Sequence, residues 1–292
     1  MNLHQCVTFW DEYLKAWDRS PLNQFLTEKA KGNYFTYSNK LTPYIEYLPE
    51  PYYGDINNFS CVIIDLNPGL SHFNDCKKLY KAPGAFLYNF FHSASYSVFN
   101  NKYSPFNQSS ISSIGTPNEI PGAKWWQEKR VKWTKTFLAK YNSIINGPSK
   151  DVQANPLVFE LCPWHSPKWD DKIVTGMNKH LANTVFTPAA DAIKNSSIPF
   201  GLCFGKVIGD LLISLGFKVI YQRDNINPVN KWPLNEDKKL VDRTYRFLEG
   251  YFNNEKVYFL NLYANGTFYA PSAKFIKHVD PVIVQDILSL NL

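Results

Sequence analysis

The sequence predicts an α/β protein in three layers, a central four-stranded parallel sheet covered by helices on both faces. Three observations carry that expectation. Four short apolar runs, rich in β-branched and aromatic residues, have the composition of strands buried on both faces. Segments of helical periodicity separate them, the pattern of parallel strands joined by crossover helices. The chain of 292 residues also lies near the size at which one hydrophobic core stops growing, which favours a single domain with peripheral extensions.

The elements follow in order. From Thr8 to Leu26 the residues Phe9, Trp10, Tyr13, Leu14, Trp17, Phe25 and Leu26 recur at helical spacing, with Pro21 marking a break between two helices. A connection through Pro43, Pro49 and Pro51 closes an amino-terminal extension, residues 1–57, expected to pack on a domain formed by residues 58–292. The first strand is Cys61-Val62-Ile63-Ile64-Asp65-Leu66, and it ends in the turn Asn67-Pro68-Gly69-Leu70-Ser71. Pro68 cannot extend a sheet ladder and Gly69 permits close backbone approach, so this turn lies at the carboxyl end of a strand, where α/β sheets bind ligands.

A helix is expected around Phe86 to Phe91, followed by a polar stretch from Asn100 to Gly122. A second helix runs from about Lys124, with an apolar stripe of Trp126, Trp133, Phe137 and Tyr141 for the core and Lys129, Arg130, Lys132 and Lys135 on a solvated face. Leu157 to Cys162 is the second strand and Pro199 to Gly205 the third, which runs into a helical pattern from Lys206 to Leu212. Val257 to Leu262 is the fourth.

Lys and Arg number 31 against 25 Asp and Glu, a net charge of +6 that suits a polyanionic partner without requiring one. Aromatic residues make up 16%, and most of the rings are expected in the core. The five cysteines are scattered without CxxC spacing, and Cys61, Cys162 and Cys203 lie inside apolar strands as small core residues. No apolar stretch is long enough to span a bilayer, and the residues after Met1 lack a basic region followed by an apolar one. A soluble, cytoplasmic protein is expected.

The turn Asp65-Leu66-Asn67-Pro68-Gly69-Leu70-Ser71 resembles the first active-site motif of the uracil-DNA glycosylase superfamily, in the Gly-x-Asn-Pro-Gly form of its mismatch-specific and single-strand-selective branches. Three further elements follow in the family's order, and the resemblance spans roughly Asn58 to Lys277. It implies the family's α/β/α fold, DNA as the partner, base flipping, and hydrolysis without a metal or cofactor. By that resemblance Asn67 orients the attacking water. Asp65 replaces the usual Gly and is a second candidate, as a general base or as a structural cap of the turn. An Asx turn before Pro-Gly is the plain structural alternative for Asn67.

Glu160 interrupts an apolar strand, where a buried carboxylate needs a partner or a function. By the resemblance it matches the position that reads the Watson–Crick edge of the flipped base, where uracil-excising members usually carry an amide. An ionised carboxylate offers acceptors only, which suits the N4 amino group of cytosine, and a protonated one also serves N3. A structural ion pair is the alternative. Gly69 follows the motif proline where classical uracil-specific members place a Tyr that blocks pyrimidine C5, so the pocket is expected to admit a 5-substituent. The expected substrate is therefore a modified cytosine, glucosylated hydroxymethylcytosine being one such base that anti-phage glycosylases of this kind remove.

The fourth strand feeds Asn265-Gly266-Thr267-Phe268-Tyr269-Ala270-Pro271-Ser272, an imperfect match to the family's second short motif because it lacks the His. Asn265 is the expected contact to the base carbonyl, and Phe268 or Tyr269 fills the gap left by the flipped base. Phe86 is the expected stacking ring, ahead of Phe73 and Tyr80. His165 lies close enough in sequence to the second strand to line the pocket, and Ser71, Lys274 and Lys277 are expected at the DNA backbone. A zinc-dependent deaminase is disfavoured by the absence of His-x-Glu and Pro-Cys-x-x-Cys. Lys206 is the rival nucleophile for a lyase mechanism. A uracil or mismatch glycosylase, and a catalytically silent nucleic-acid binder, are the other readings.

Overall fold

The computed structural model describes residues 1–10, 51–54, 56–66, 132–146, 155–162, 179–223, 243–264 and 284–290. Among these, seven strands form one mixed sheet: β1 (Tyr52–Tyr53), β2 (Cys61–Asp65), β3 (Pro156–Glu160), β4 (Gly201–Phe204), β5 (Lys218–Arg223), β6 (Arg243–Phe252) and β7 (Glu255–Ala264), in spatial order β1-β3-β2-β4-β7-β6-β5. The helices are α1 (residues 3–10), α2 (Lys132–Asn146), α3 (Lys179–Ile193), α4 (Lys206–Ser214) and α5 (residues 284–289).

The four expected strands are β2, β3, β4 and β7, which lie side by side with parallel pairing between β3 and β2, β2 and β4, and β4 and β7. The sheet is nevertheless wider than the four parallel strands expected. Antiparallel strands extend it on both edges, β1 beside β3, and β6 then β5 beside β7. The hairpin between β6 and β7 turns at Asn253 and Asn254, with φ of 50° and 65°. Primed hairpin turns require positive φ at both central residues, and Asn tolerates it better than most.

Side chains alternate across the sheet, so each strand feeds two faces. On one face Cys61, Ile63, Val158, Leu202, Phe204, Tyr245, Phe247, Leu260 and Leu262 meet Trp133, Phe137 and Tyr141 of α2 and Val284 and Ile287 of α5. Trp133 stacks on Phe137 at 5.3 Å and meets Phe204 edge-on at 4.9 Å, while Phe137 meets Phe200 at 6.4 Å. These contacts run α2 against the strand direction, with its first turn over the carboxyl end of the sheet. Lys132 and Lys135 of α2 are exposed, as its stripe of apolar residues predicts.

On the other face Phe186 of α3 packs against Phe259, and α4 lies over β4, β7 and β6. Helix α1 starts ahead of the Thr8 expected from the periodicity, because Asn2 and Gln5 form a capping box: Gln5 N donates to Asn2 Oδ1 at 2.8 Å and Asn2 N to Gln5 Oε1 at 2.9 Å. Leu3, Cys6, Val7 and Trp10 form its buried stripe, and Leu3 N donates to Asp191 of α3 at 3.0 Å. The amino-terminal extension therefore meets the sheet domain at two described places, α1 and β1. No helix among the described residues is long and apolar enough to cross a membrane.

Candidate active site

Parallel strands bring their carboxyl ends to one edge, so the chain leaves β2, β3 and β7 on the same side of the sheet. Asp65 and Glu160, the last residues of β2 and β3, are directly paired in the parallel register. Beyond the assigned strands the pairing continues, Leu161 N donating to Asp65 O at 2.8 Å and Cys162 N to Leu66 O at 2.9 Å. Glu160 N donates on its other side to Pro51 O at 2.9 Å. Backbone bonds on both flanks thus fix the position of Glu160.

Alternation from Cys61, Ile63 and Val158 puts both carboxyl groups on the α2 face. Following the registers outward, one row crosses the carboxyl end: Glu160, Asp65, Phe204, Leu262, Tyr245 and Arg223. Glu160 is 1% exposed and Asp65 6%. Two carboxyl groups on neighbouring strands, about 5 Å apart at the backbone, are therefore enclosed together.

Of the residues expected to carry chemistry, the structure brings Asp65 and Glu160 together. Asn67, Gly69, Ser71, Phe86, His165, Asn265, Phe268, Tyr269, Lys274 and Lys277 lie outside the described residues. Lys206, the rival nucleophile, begins α4 and pairs with Asp210 one turn on. Among the described residues no three His, Cys, Asp or Glu side chains gather as a metal site. Cys6, Cys61, Cys162 and Cys203 are buried, and burial pushes the thiols of Cys6, Cys61 and Cys203 up to about 12, which makes them poor nucleophiles.

A second polar cluster on the α4 face escaped the sequence reading. Arg246 donates from Nε to Asn261 Oδ1 at 2.9 Å and from Nη2 to Asp210 Oδ1 at 2.6 Å and to Lys206 O at 3.1 Å. Asn261 Nδ2 donates to Cys203 O at 3.2 Å and Gly205 O at 2.9 Å. Burial pushes the Asp210 carboxyl up, but the hydrogen bonds from Lys206 and Arg246 outweigh it and hold the group below the usual carboxylate value. Gly205, at φ 100°, turns the chain from β4 into α4, a conformation that favours glycine. The signal was present in the sequence: Asn261 interrupts an apolar strand as Glu160 does.

At the far end of this row, Asp286 of α5 accepts from the hydroxyls of Tyr245 and Tyr221, the latter at 2.9 Å, and lies 3.4 Å from Arg223 Nη1. That clasp closes α5 onto the antiparallel extension. No family model, curated protein or solved structure matches this chain.

Proposed function

We propose that this chain is a monofunctional DNA glycosylase that flips a modified pyrimidine, most readily a 5-substituted cytosine, and excises it hydrolytically to leave an abasic site. The observation that carries the reading is Glu160, a carboxyl group buried at the carboxyl end of a parallel strand beside Asp65. Such an edge is where α/β sheets bind ligands. A buried carboxyl group is costly to retain for packing alone. The uracil-DNA glycosylase-like pattern supplies the rest, with four parallel strands in the order β3-β2-β4-β7 and motif segments after β2, β3 and β7.

In this reading Glu160 faces the N3 and N4 edge of the flipped base, Asn265 its carbonyl, and Gly69 leaves space for the C5 substituent. The bond between C1′ and the base breaks, and a water oriented by Asn67 bonds to C1′. The water's hydroxyl stays on the sugar and its proton balances the departing base. Bases with large C5 substituents, such as glucosylated hydroxymethylcytosine, mark phage DNA, so defence is the setting that fits this pocket.

The test is an abasic-site cleavage assay on DNAs containing uracil, a G·T mismatch, 5-hydroxymethylcytosine and glucosylated hydroxymethylcytosine, with Asn67→Ala alongside. Release confined to a modified cytosine, and lost in the variant, supports the reading. Release of uracil alone moves the protein to base-excision repair. DNA binding that survives Asn67→Ala, with no base released from any of the four, indicates a silent binder.

A further inference from the structure

Arg246 is a cation held 6% exposed, and among the described residues the carboxylate that pairs with it, Asp210, is shared with Lys206. Taking such a cation out of water is costly, and apolar side chains of similar volume often hold a fold as well or better. A buried, directed network does supply a single geometry. Resting on the glycosylase reading above, we propose that Arg246 is a positioning residue. It fixes the exit of β7 against the start of α4 and, acting through Tyr263, sets the place of Asn265, the contact to the base carbonyl.

Two arms of the guanidinium end on different elements. Nε donates to Asn261 of β7, and Nη2 donates to Lys206 O and Asp210 Oδ1 in the first two turns of α4. Asn261 extends the link, its Nδ2 donating to Cys203 O and Gly205 O on either side of the β4 exit. Gly205 N donates in turn to Leu262 O at 2.9 Å. The exits of β4 and β7 are therefore tied both through backbone and through Arg246. Lysine cannot replace this fork, because its single ammonium does not reproduce the spacing of Nε and Nη2.

Tyr263 connects the cluster to the chain that leaves the sheet. Arg246 pairs with Asn261, and alternation along β7 returns to the same face at Tyr263. The Arg246 Cζ stands over the Tyr263 ring, 5.1 Å from its centroid, within the range of a cation–π contact. Tyr263 is 7% exposed and Ala264 ends β7. Asn265 follows directly, and two residues of chain reach about 7 Å at most, too short to absorb a displacement at Tyr263.

Two measurements on the full chain test this, with wild type, Arg246→Lys, Tyr263→Leu, Tyr263→Phe and Phe186→Leu. Lysine keeps the charge and loses the fork, leucine removes the ring face, and phenylalanine keeps it. Phe186 is a core ring of α3 against Phe252 and Phe259, nearer the amino end of β7, and controls for a general loss of stability. Amide hydrogen exchange over residues 265–272 should quicken by about tenfold in Arg246→Lys and Tyr263→Leu and stay within about twofold of wild type in Tyr263→Phe and Phe186→Leu. Single-turnover release of 5-hydroxymethylcytosine or its glucosylated form, with enzyme in saturating excess, should fall by about 10- to 100-fold in the same two variants, while DNA affinity stays within about threefold.

Exchange or release unchanged in Arg246→Lys and Tyr263→Leu, or matched by Phe186→Leu, overturns the positioning role and leaves the glycosylase reading standing. Quickened exchange in those two variants, with no base released by wild type from either modified cytosine or from uracil, removes the glycosylase reading and the role of Asn265 with it.

Discussion

Arg246 of β6 and Asn261 of β7 are opposite each other in the antiparallel register, and the Arg246 Nε donates to Asn261 Oδ1 at 2.9 Å. Through this pair the antiparallel extension is tied to Gly205 and Asp210, the start of α4. Asn261→Ala removes three buried hydrogen bonds and leaves carbonyls unpaired, so it should lower stability by about 3 kcal/mol. Urea unfolding measures it. A loss under about 1 kcal/mol would mean that water replaces the amide at little cost.

Gly209 provides the space for that cluster. A Cβ there would stand 2.1 Å from Asn261 Oδ1 and 2.5 Å from Arg246 Nη2. Gly209→Ala should cost about 1 to 3 kcal/mol despite improving helix propensity. Because the obstacle is the amide itself, the cost should shrink by more than about 0.5 kcal/mol when measured in Asn261→Ala. Additive effects in the double variant would place the clash elsewhere.

Thr134 of α2 is fully buried, and its hydroxyl has no hydrogen-bond partner among the described residues. Thr134→Val keeps the shape and removes the unpaired polar group, so it should be neutral or stabilise by up to about 2 kcal/mol. A destabilisation above about 1 kcal/mol in the same unfolding experiment would show that the hydroxyl has a role.

The buried thiols set the alkaline limit of the fold. Cys6, Cys61 and Cys203 are raised from 9.0 to about 12 by burial, so between those values the unfolded chain loses protons that the folded chain keeps. Stability held below pH 9 is therefore lost progressively as pH rises toward about 12, each thiol contributing a slope of about 1.4 kcal/mol per pH unit. Tyr221 and Tyr245, also raised by burial and next by the hydrogen bond to Asp286, add to the loss above pH 10. Cys203→Ala should flatten the decline by one proton's slope, and an unchanged decline would contradict the assignment.

How far the sequence disclosed this depends on the residue. The four parallel strands were legible because burial on both faces demands continuous apolar runs, and Cys61 to Ile64 has no other plausible use. β5 and β6 were not, since Lys218 to Arg223 is mostly exposed and Arg243 to Phe252 mixes charged and aromatic residues, a pattern without a clear period. The ten-residue β7 outran its expected span because pairing with β6 carries charged Glu255 and Lys256 into the ladder. Glu160 was recognised because a charge breaks its apolar run. That Asp65 is its register partner was not legible, because register is set by tertiary pairing of strands far apart in sequence.

Glu160 is where the functional account is most exposed to test. The direct measurement is single-turnover base release by wild type and Glu160→Gln from matched DNAs containing glucosylated hydroxymethylcytosine or uracil. Wild type is expected to prefer the modified cytosine, and the amide to lower the rate ratio of modified cytosine to uracil by about 100-fold or more, because an amide presents the acceptor and donor that uracil N3–H and O4 require. An unchanged ratio in a folded Glu160→Gln protein that still releases the base would contradict it.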